Sequence, residues 1–388
     1  MNTIERVIVS LVKSAIDGSR AEVPADANWK DILRIGERYK VIPLLYQGVT
    51  NSEISVPETV MGRMQNIVLS NLMLDQKQLY ELSNLQKAFD ENGIDYMPVK
   101  GILMKDLYPN TELRPMGDGD ILIRMTQKEK IADAMDRLGY VFAYESTHEW
   151  AFDKNGVHVE LHKRLIPLQN TDYCAYYGDG WKFAKETGNG TRYALSDEDH
   201  YIYIFTHFAK HYRDGGIGVL HMADLWIYTR EKNVQTPYVR AELEKLDLLR
   251  FYDNVFETIH AWFEGGPQTE MTEFITRRIF SYGRWGTETS RIMAKGVRDS
   301  KSVPLGKLRV KQITEAMFPG MLRMQYRYPI LQKYGFLLPV MWIARWFDFL
   351  LFKHDRIRDK VKAIKISTED NVSAYQNELD YVGLDYNF

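Results

Sequence analysis

Residues 114–123 read Arg-Pro-Met-Gly-Asp-Gly-Asp-Ile-Leu-Ile, and the second half of this stretch has the alternation of a β-strand. Residues two apart in a strand point to the same side of the sheet. We therefore expect Asp118 and Asp120 to project together, with Ile121 and Ile123 on the opposite side, toward a core. Two carboxylates this close repel each other, and a divalent cation between them removes that repulsion.

A β-hairpin is predicted downstream of this strand. Two alternating runs, His148–Lys154 and Val157–Lys163, are joined by an Asn-Gly pair at positions 155 and 156. This pair between alternating runs is a strong signal for a type I′ turn, because both central residues of that turn need positive φ. On the second strand Glu160 lies on the polar face, and the other face is apolar. If this strand pairs beside the Asp118–Asp120 strand, three carboxylates converge.

The triad of Asp118, Asp120 and Glu160 has the oxygen donors that Mg²⁺ or Mn²⁺ prefers, with open positions for phosphate oxygens. Such a site can run a two-metal displacement, in which one ion activates the nucleophile and the other stabilises the leaving pyrophosphate. An Asp-x-Asp pair alone is also common in turns and exposed strands. The strand context and Glu160 favour the metal site, in which all three acids are metal ligands and catalytic residues.

Three regions follow one another along the chain. Residues 1–92 have the apolar spacing of helices, and residues 191–388 are mostly helical with aromatic-rich apolar faces. Residues 93–190 predict a strand, a helix, a second strand, a second helix and the hairpin. The sequence therefore predicts an α+β fold, with a small mixed sheet flanked by N-terminal helices and a larger C-terminal helical region.

The composition favours a globular protein in a reducing compartment. Lysine plus arginine (50) nearly balances aspartate plus glutamate (52), for a net charge of −2, so nucleic acid is the less expected partner. The single cysteine, Cys174, excludes an internal disulfide and a multi-cysteine zinc site, and it fits a cytoplasmic location. The N-terminal residues lack the pattern of a signal peptide.

The most apolar stretch is Leu337–Phe352, which a proline and two charged residues interrupt. It is too short and too broken to span a bilayer, so no transmembrane segment is predicted. A buried helix is the favoured interpretation. The alternative is a helix at a membrane interface, anchored by Trp342 and Trp346.

Five short motifs occur in order along the chain: Val99-Lys100-Gly101, Leu107-Tyr108-Pro109, residues 114–123, Leu138-Gly139-Tyr140 and Val159-Glu160-Leu161-His162. In this order and spacing the sequence resembles the nucleotidyltransferase-fold superfamily, especially its bacterial family of largely uncharacterised nucleotidyltransferases. The resemblance covers roughly residues 25–230. It implies that the small mixed sheet is a nucleotidyltransferase core.

The resemblance also implies residue roles. Lys100 and Gly101 correspond to the turn that approaches the triphosphate, Asp118 and Asp120 to the paired metal-binding acids, and Glu160 to the third acid. The superfamily usually has Gly-Gly or Gly-Ser at this turn. Lys100 departs from that pattern, and its ammonium group is expected to supply charge where fewer backbone amides meet phosphate.

Arg114 and three histidines are further candidates. Arg114 is expected either to contact phosphate or to brace its loop. His162 is a candidate acceptor contact or base near neutral pH, or else a hydrogen-bonded strand histidine. His207 and His211, four apart on a predicted helix, are candidate contacts to nucleotide or acceptor. Their alternatives are packing between domains and zinc binding, for which the glutamate of the zincin motif is missing.

The implied function is transfer of a nucleoside monophosphate from an NTP, such as ATP, to an acceptor hydroxyl or phosphate, with Mg²⁺ or Mn²⁺ as cofactor. The acceptor stays open among small molecules, proteins and glycan precursors. One alternative is a nucleotide-binding regulatory or antitoxin-like protein with little turnover. Another is a partner in cell-envelope or polysaccharide biosynthesis.

Overall fold

The computed structural model describes most of the chain. The residues described are 1–168, 170–188, 190–282, 288–300, 304–328, 330–352, 366 and 368–384. Within them the chain forms two compact units, the first made of residues 1–210 and 217–284 and the second of residues 211–216 and 285–387. The boundaries predicted at residues 92/93 and 190/191 divide the chain by type of secondary structure and stay predictions.

Four helices precede the sheet, as the apolar spacing predicts. They are α1 (Thr3–Asp17), α2 (Trp29–Tyr39), α3 (Ile42–Asn51) and α4 (Glu58–Glu91). A capping box starts α1: the Asn2 side chain accepts a hydrogen bond from the Glu5 N–H (3.0 Å), and the Glu5 carboxylate accepts one from the Asn2 N–H (2.8 Å). The 34 residues of α4 form the longest of these helices and bring Leu85 and Phe89 to the sheet.

A five-stranded mixed sheet follows α4. Its strands are β1 (Tyr96–Pro98), β2 (Gly119–Ile123), β3 (Val141–Glu145), β4 (Glu149–Lys154) and β5 (Val157–His162), in the spatial order β1-β2-β5-β4-β3. The β2–β5 pair is parallel and the other pairs are antiparallel. Two helices, α5 (Gly101–Met104) and α6 (Lys128–Arg137), belong to the same region. The predicted hairpin and α+β fold are confirmed, but strand β3 was not predicted.

One face of the sheet forms the core with α4 and α6. Ile121 and Ile123 of β2 pack there with Val159 and Leu161 of β5, and all four are fully buried. Burial of such a side chain contributes about 1.5–3 kcal/mol. The predicted alternation is therefore confirmed, and it leaves the polar side chains of both strands on the other face.

The remaining structure is mainly helical. A short antiparallel pair of strands consists of β6 (Lys185–Glu186) and β7 (Tyr193–Ala194). The helices that end by residue 282 are α7 (Thr171–Tyr177), α8 (Asp197–Arg213), α9 (Val219–Glu231), α10 (Pro237–Lys245), α11 (Leu249–Phe263) and α12 (Glu270–Tyr282). Those after it are α13 (Glu288–Ser300), α14 (Leu305–Met317), α15 (Met321–Arg327), α16 (Ile330–Lys333), α17 (Leu338–Phe352) and α18 (Glu369–Val382). Single 3₁₀ turns are Lys105–Leu107, Thr111–Leu113, Met125–Gln127, Trp181–Phe183 and Gly335–Leu337.

Helix α17 lies where a helix was predicted, but the prediction that it is buried is wrong. Ile343 is 51% exposed and Phe347 is 61% exposed. The packed side carries Trp342 and Trp346, whose indole N–H groups donate to the main-chain oxygens of residues 319 and 317 (3.0 and 2.9 Å). Apolar residues occur on every side of this helix, so the pattern could not show which side packs. Nowhere in the described ranges does a helix combine the length and apolar character of a membrane span.

Candidate active site

Asp120 and Glu160 lie side by side because β2 and β5 are parallel neighbours. In their register Asp120 is paired with Glu160. On the other side of β5, Glu160 is paired with Ala151 of β4, and Ala151 is paired with Tyr144 of β3. Alanine is small, so the Tyr144 hydroxyl reaches across it and donates a hydrogen bond to Glu160 Oε1 (3.0 Å). The paired positions on four strands thus put Asp120, Glu160 and Tyr144 on the same polar face of the sheet.

The Glu160 carboxyl group is surrounded by negative charge. Burial and the charges of Asp120, Asp118 and Glu149 raise the pKa of Glu160 to about 7. Asp118 immediately precedes β2 and is half-buried. Its charge acts on Lys100 as well as on Glu160. The three acids predicted to act together are therefore close enough to influence one another electrostatically.

Asp120 is balanced by two nitrogen donors. Its Oδ1 atom lies 2.7 Å from Lys100 Nζ and 2.7 Å from His162 Nε2. Burial opposes ionisation of Asp120, but the Lys100 charge and the His162 hydrogen bond outweigh burial and hold its pKa well below the usual range. Both contacts are made by Oδ1, which leaves Oδ2 for a metal ion.

The turn after β1 holds Lys100 beside the acids. Lys100 has a φ of +52°, a conformation that residues other than glycine rarely adopt. Its N–H donates to His200 Nε2 (3.2 Å), and the Tyr228 hydroxyl lies 2.9 Å from His200 Nδ1. Burial lowers the pKa of His200 to about 4, so the imidazole is neutral and can accept this bond. The Lys100 amide is therefore bound to His200, and its ammonium group, whose pKa Asp120 raises in spite of burial, is bound to the acid.

Arg114 and Gly101 form a packed junction next to this turn. The Arg114 guanidinium donates two hydrogen bonds to Asp224 (2.8 and 2.9 Å), and the Tyr108 hydroxyl donates a third (2.8 Å). A Cβ atom at Gly101 would lie only 2.9 Å from the sulfur of Met116 and 3.0 Å from the Arg114 guanidinium. Of the two roles expected for Arg114, the contacts match the brace. The phosphate role proposed for Gly101 and Arg114 stays a prediction.

His162 sits between two groups of potential ligands. It is 2% exposed, and its Nε2 atom faces Asp120 and lies 3.5 Å from Glu160 Oε2. Its Nδ1 atom lies 4.0 Å from Glu149 Oε2. Burial and the Lys100 charge lower the pKa of His162, so the ring is neutral near pH 7. Its role as acceptor contact or base stays a prediction.

The other residues considered from the sequence lie on α7 and α8. His207 of α8 packs near Tyr203, with 6.4 Å between the ring centroids. His211 belongs to the second unit, where it lines a cavity of about 590 Å³ together with Arg291 and Lys295. Cys174 is a free, half-buried thiol. The roles predicted for His207 and His211 as contacts to nucleotide or acceptor stay predictions.

The donor chemistry of the sheet face fits a divalent cation. Carboxylate oxygens of Asp120 and Glu160 and a nitrogen of His162 lie within 4.8 Å of one another. Burial and the repulsion between these acids raise the pKa of Glu160, and a cation would relieve the repulsion. Lys100 already supplies one positive charge at this place. Oxygen-rich donors of this kind suit Mg²⁺ or Mn²⁺.

Several residues of the site were not predicted from the sequence. Tyr144 was missed because β3 was missed, although Val141-Phe142-Ala143-Tyr144 is rich in strand-forming residues. Glu149 opens the predicted hairpin and pairs with His162 in the sheet register. Its pKa, which burial tends to raise, is lowered to about 2 because His148 hydrogen-bonds to it. No spacing signal marks Asp224 as the partner of Arg114, since 110 residues separate them.

Residues 25–264 match the model of a protein family described as an uncharacterised nucleotidyltransferase. The match covers more than half of the chain and includes α2, the whole five-stranded sheet, and α8 to α11. The chain therefore belongs to this family. Neither the curated proteins nor the solved structures contain a match.

Proposed function

We propose, from the membership of the chain in this nucleotidyltransferase family, that it is a metal-dependent enzyme that transfers a nucleoside monophosphate from an NTP to an acceptor hydroxyl or phosphate. One observation carries the proposal: the parallel pairing of β2 with β5 sets Asp120 opposite Glu160, next to Asp118. A protein that only bound nucleotide would not need three mutually repelling acids at one place.

Each residue on the polar face of the sheet has its own role in the proposed reaction. Asp118 and the Oδ2 atom of Asp120 hold the metal, and Glu160 completes the ligand set. Mg²⁺, when bound, supplies positive charge to the phosphates and polarises the acceptor oxygen. Lys100 adds a second positive charge, since its ammonium group is already held at Asp120 (2.7 Å) and lies within reach of a bound phosphate.

Glu160 has a second role in the proposal, as a base. In the metal-free protein its pKa is about 7, so its proton leaves readily near neutral pH and the carboxylate then serves both the metal and the acceptor proton. In the proposed reaction Glu160 helps to remove the acceptor proton as the acceptor oxygen attacks the α-phosphorus. The Tyr144 hydroxyl fixes one oxygen of Glu160, so the other oxygen is directed toward Asp120 and the acceptor.

The proposal is tested by measuring pyrophosphate release from ATP, GTP, CTP and UTP. Candidate acceptors are hydroxylated small molecules, glycan precursors and the protein itself. We expect release with Mg²⁺ or Mn²⁺, loss of release with excess EDTA, and recovery when the metal is restored. Nucleotide binding without pyrophosphate release under every condition would contradict the enzyme and favour a nucleotide-binding regulatory protein.

Metal binding is expected to depend on pH through Glu160. Below pH 7 this carboxyl is protonated in the metal-free protein, and the proton must leave when the metal binds. The affinity for Mn²⁺ should therefore be about tenfold lower at pH 6 than at pH 8 and nearly constant above pH 8. Isothermal titration with Mn²⁺ measures this. The Glu160→Gln variant is the control, because its weaker binding should lose this pH dependence.

A further inference from the structure

We propose that His148, Glu149 and His162 form a second metal site, suited to a transition metal such as Zn²⁺ and distinct from the carboxylate site proposed for the reaction. Three ligand atoms, one from each residue, lie within 4.8 Å of one another. This site uses the Nδ1 atom of His162, whereas Nε2 faces Asp120. It does not depend on the nucleotidyl transfer proposed above.

The strongest observation is the state of His162 Nδ1. This atom is buried and makes no hydrogen bond to any described residue. Leaving a buried polar atom without a partner costs about 1–3 kcal/mol, so such an atom needs an explanation. The carboxylate oxygen Glu149 Oε2 lies 4.0 Å away, too far for a hydrogen bond but in the range of two ligands on one metal.

The protonation state of His162 suits a ligand. Its Nε2 atom lies 2.7 Å from the ionised Asp120 carboxylate and must carry the proton to donate to it. In a neutral ring Nδ1 then has the free lone pair. A histidine that binds metal through one nitrogen and donates to a carboxylate through the other is the usual arrangement around zinc, because the carboxylate fixes the tautomer.

Neighbouring polar side chains also position His148 and Glu149. Ser146 Oγ accepts the N–H groups of His148 and Glu149 and lies 3.1 Å from His148 Nδ1, so its hydroxyl donates to Nδ1 and the ring carries its proton on Nε2 in the metal-free protein. That Nε2 atom lies 2.7 Å from Glu149 Oε2, and a metal ion that replaces the proton between them would be bound by both atoms. The Tyr144 hydroxyl lies 3.1 Å from the other oxygen, Glu149 Oε1. Zn²⁺ bonds to nitrogen and oxygen at about 2.0–2.2 Å, which puts two tetrahedral ligand atoms about 3.4 Å apart. Around Zn²⁺ the 4.0 Å pair would therefore move closer together and the 2.7 Å pair would move apart.

The donor types distinguish this site from the first one. Two imidazoles and one carboxylate favour Zn²⁺ or Co²⁺, whereas Mg²⁺ prefers oxygen donors. Three protein ligands leave a fourth position open. His148 is half-buried, with 19% of its side chain exposed, so a metal has a route from solvent. Occupation would fix His162, and through it the position of Asp120.

The test uses the full-length, untagged protein, stripped of metal by chelation and dialysis, with Co²⁺ as the spectroscopic probe. We expect about one equivalent of Co²⁺ to produce the visible absorption of a tetrahedral site with imidazole ligands, and Zn²⁺ to abolish this absorption by displacement. His148→Gln should weaken Co²⁺ binding at least about tenfold. His158→Gln, on the same sheet face but outside the set, is the matched control and should bind like the unmodified protein.

A second comparison separates the two sites. Glu160→Gln removes a carboxylate of the neighbouring group but none of the three proposed ligands, so it should retain Co²⁺ binding. Stronger loss in Glu160→Gln than in His148→Gln would overturn the proposal, as would the absence of tetrahedral absorption in the unmodified protein. If His148→Gln does not fold, anomalous diffraction from Zn²⁺-soaked crystals of the unmodified protein decides. A zinc peak beside His162 Nδ1 supports the site, and its absence overturns it.

Discussion

Replacing Asp120 with asparagine is expected to reduce nucleotidyl transfer by at least about 10³-fold, because one oxygen ligand and one negative charge are lost from a preorganised site. Asparagine has the shape of aspartate and can still hydrogen-bond, so the change acts mainly on charge. Asp120 is 3% exposed and lies opposite Glu160, where its charge contributes to the raised pKa of that acid. In the variant, the pKa of Glu160 should therefore fall.

Pyrophosphate release under saturating NTP and Mg²⁺ measures this effect. The matched control is Asp153→Asn, which makes the same chemical change on β4 of the same sheet, at a carboxylate that is 58% exposed. Asp153→Asn should leave the rate unchanged within about twofold, since exposed charges on the sheet contribute little. Retention of more than a tenth of the rate in Asp120→Asn, with the fold intact, would refute the role proposed for Asp120.

Replacing Asp224 with asparagine is expected to lower the free energy of unfolding of the first unit by about 3–5 kcal/mol. Asp224 is 4% exposed and accepts both hydrogen bonds of Arg114 and the one from Tyr108. Removing its charge leaves the guanidinium of Arg114 buried without a counterion, and this desolvated charge is what makes the change costly. Salt screens exposed charges much more than buried ones. If water reaches the Arg114–Asp224 pair, the loss in free energy of unfolding should therefore be larger at low salt than at high salt.

Denaturation in urea, followed by circular dichroism, measures the loss. The matched control is Asp253→Asn, since Asp253 also makes two hydrogen bonds to an arginine, Arg240, but both side chains are about half exposed. We expect a change of only about 0–1 kcal/mol there. Equal losses in the two variants would show that Arg114 is not held by a buried ion pair. It would then be available to contact phosphate, the other role expected for it.

Local patterns in the sequence predicted much of the fold. The spacing of apolar residues predicted the N-terminal helices, and the Asn155-Gly156 pair predicted the hairpin of β4 and β5. Strand β3 was missed because it is short and mostly exposed, so its sequence lacks a clear apolar face. The burial of α17 was predicted wrongly, because an apolar helix does not reveal which of its sides packs.

The sequence by itself determined which side chains share a face of each strand. A strand repeats every two residues, so the spacing put Ile121 and Ile123 on one side of β2 and Asp120 on the other. Together with the order of the motifs, this pointed to the nucleotidyltransferase family, which the match to residues 25–264 confirms.

Only the tertiary structure decided that β5 lies beside β2. Strand order depends on long-range packing, and no local signal specifies that residues 120 and 160 are paired. The same is true of the contacts that tune the site: Lys100 with Asp120, Tyr144 with Glu160, and the unbonded nitrogen of His162. A charged residue that is distant in the sequence shifts the pKa of another group strongly only when folding brings the two within a few ångströms of each other in a buried environment.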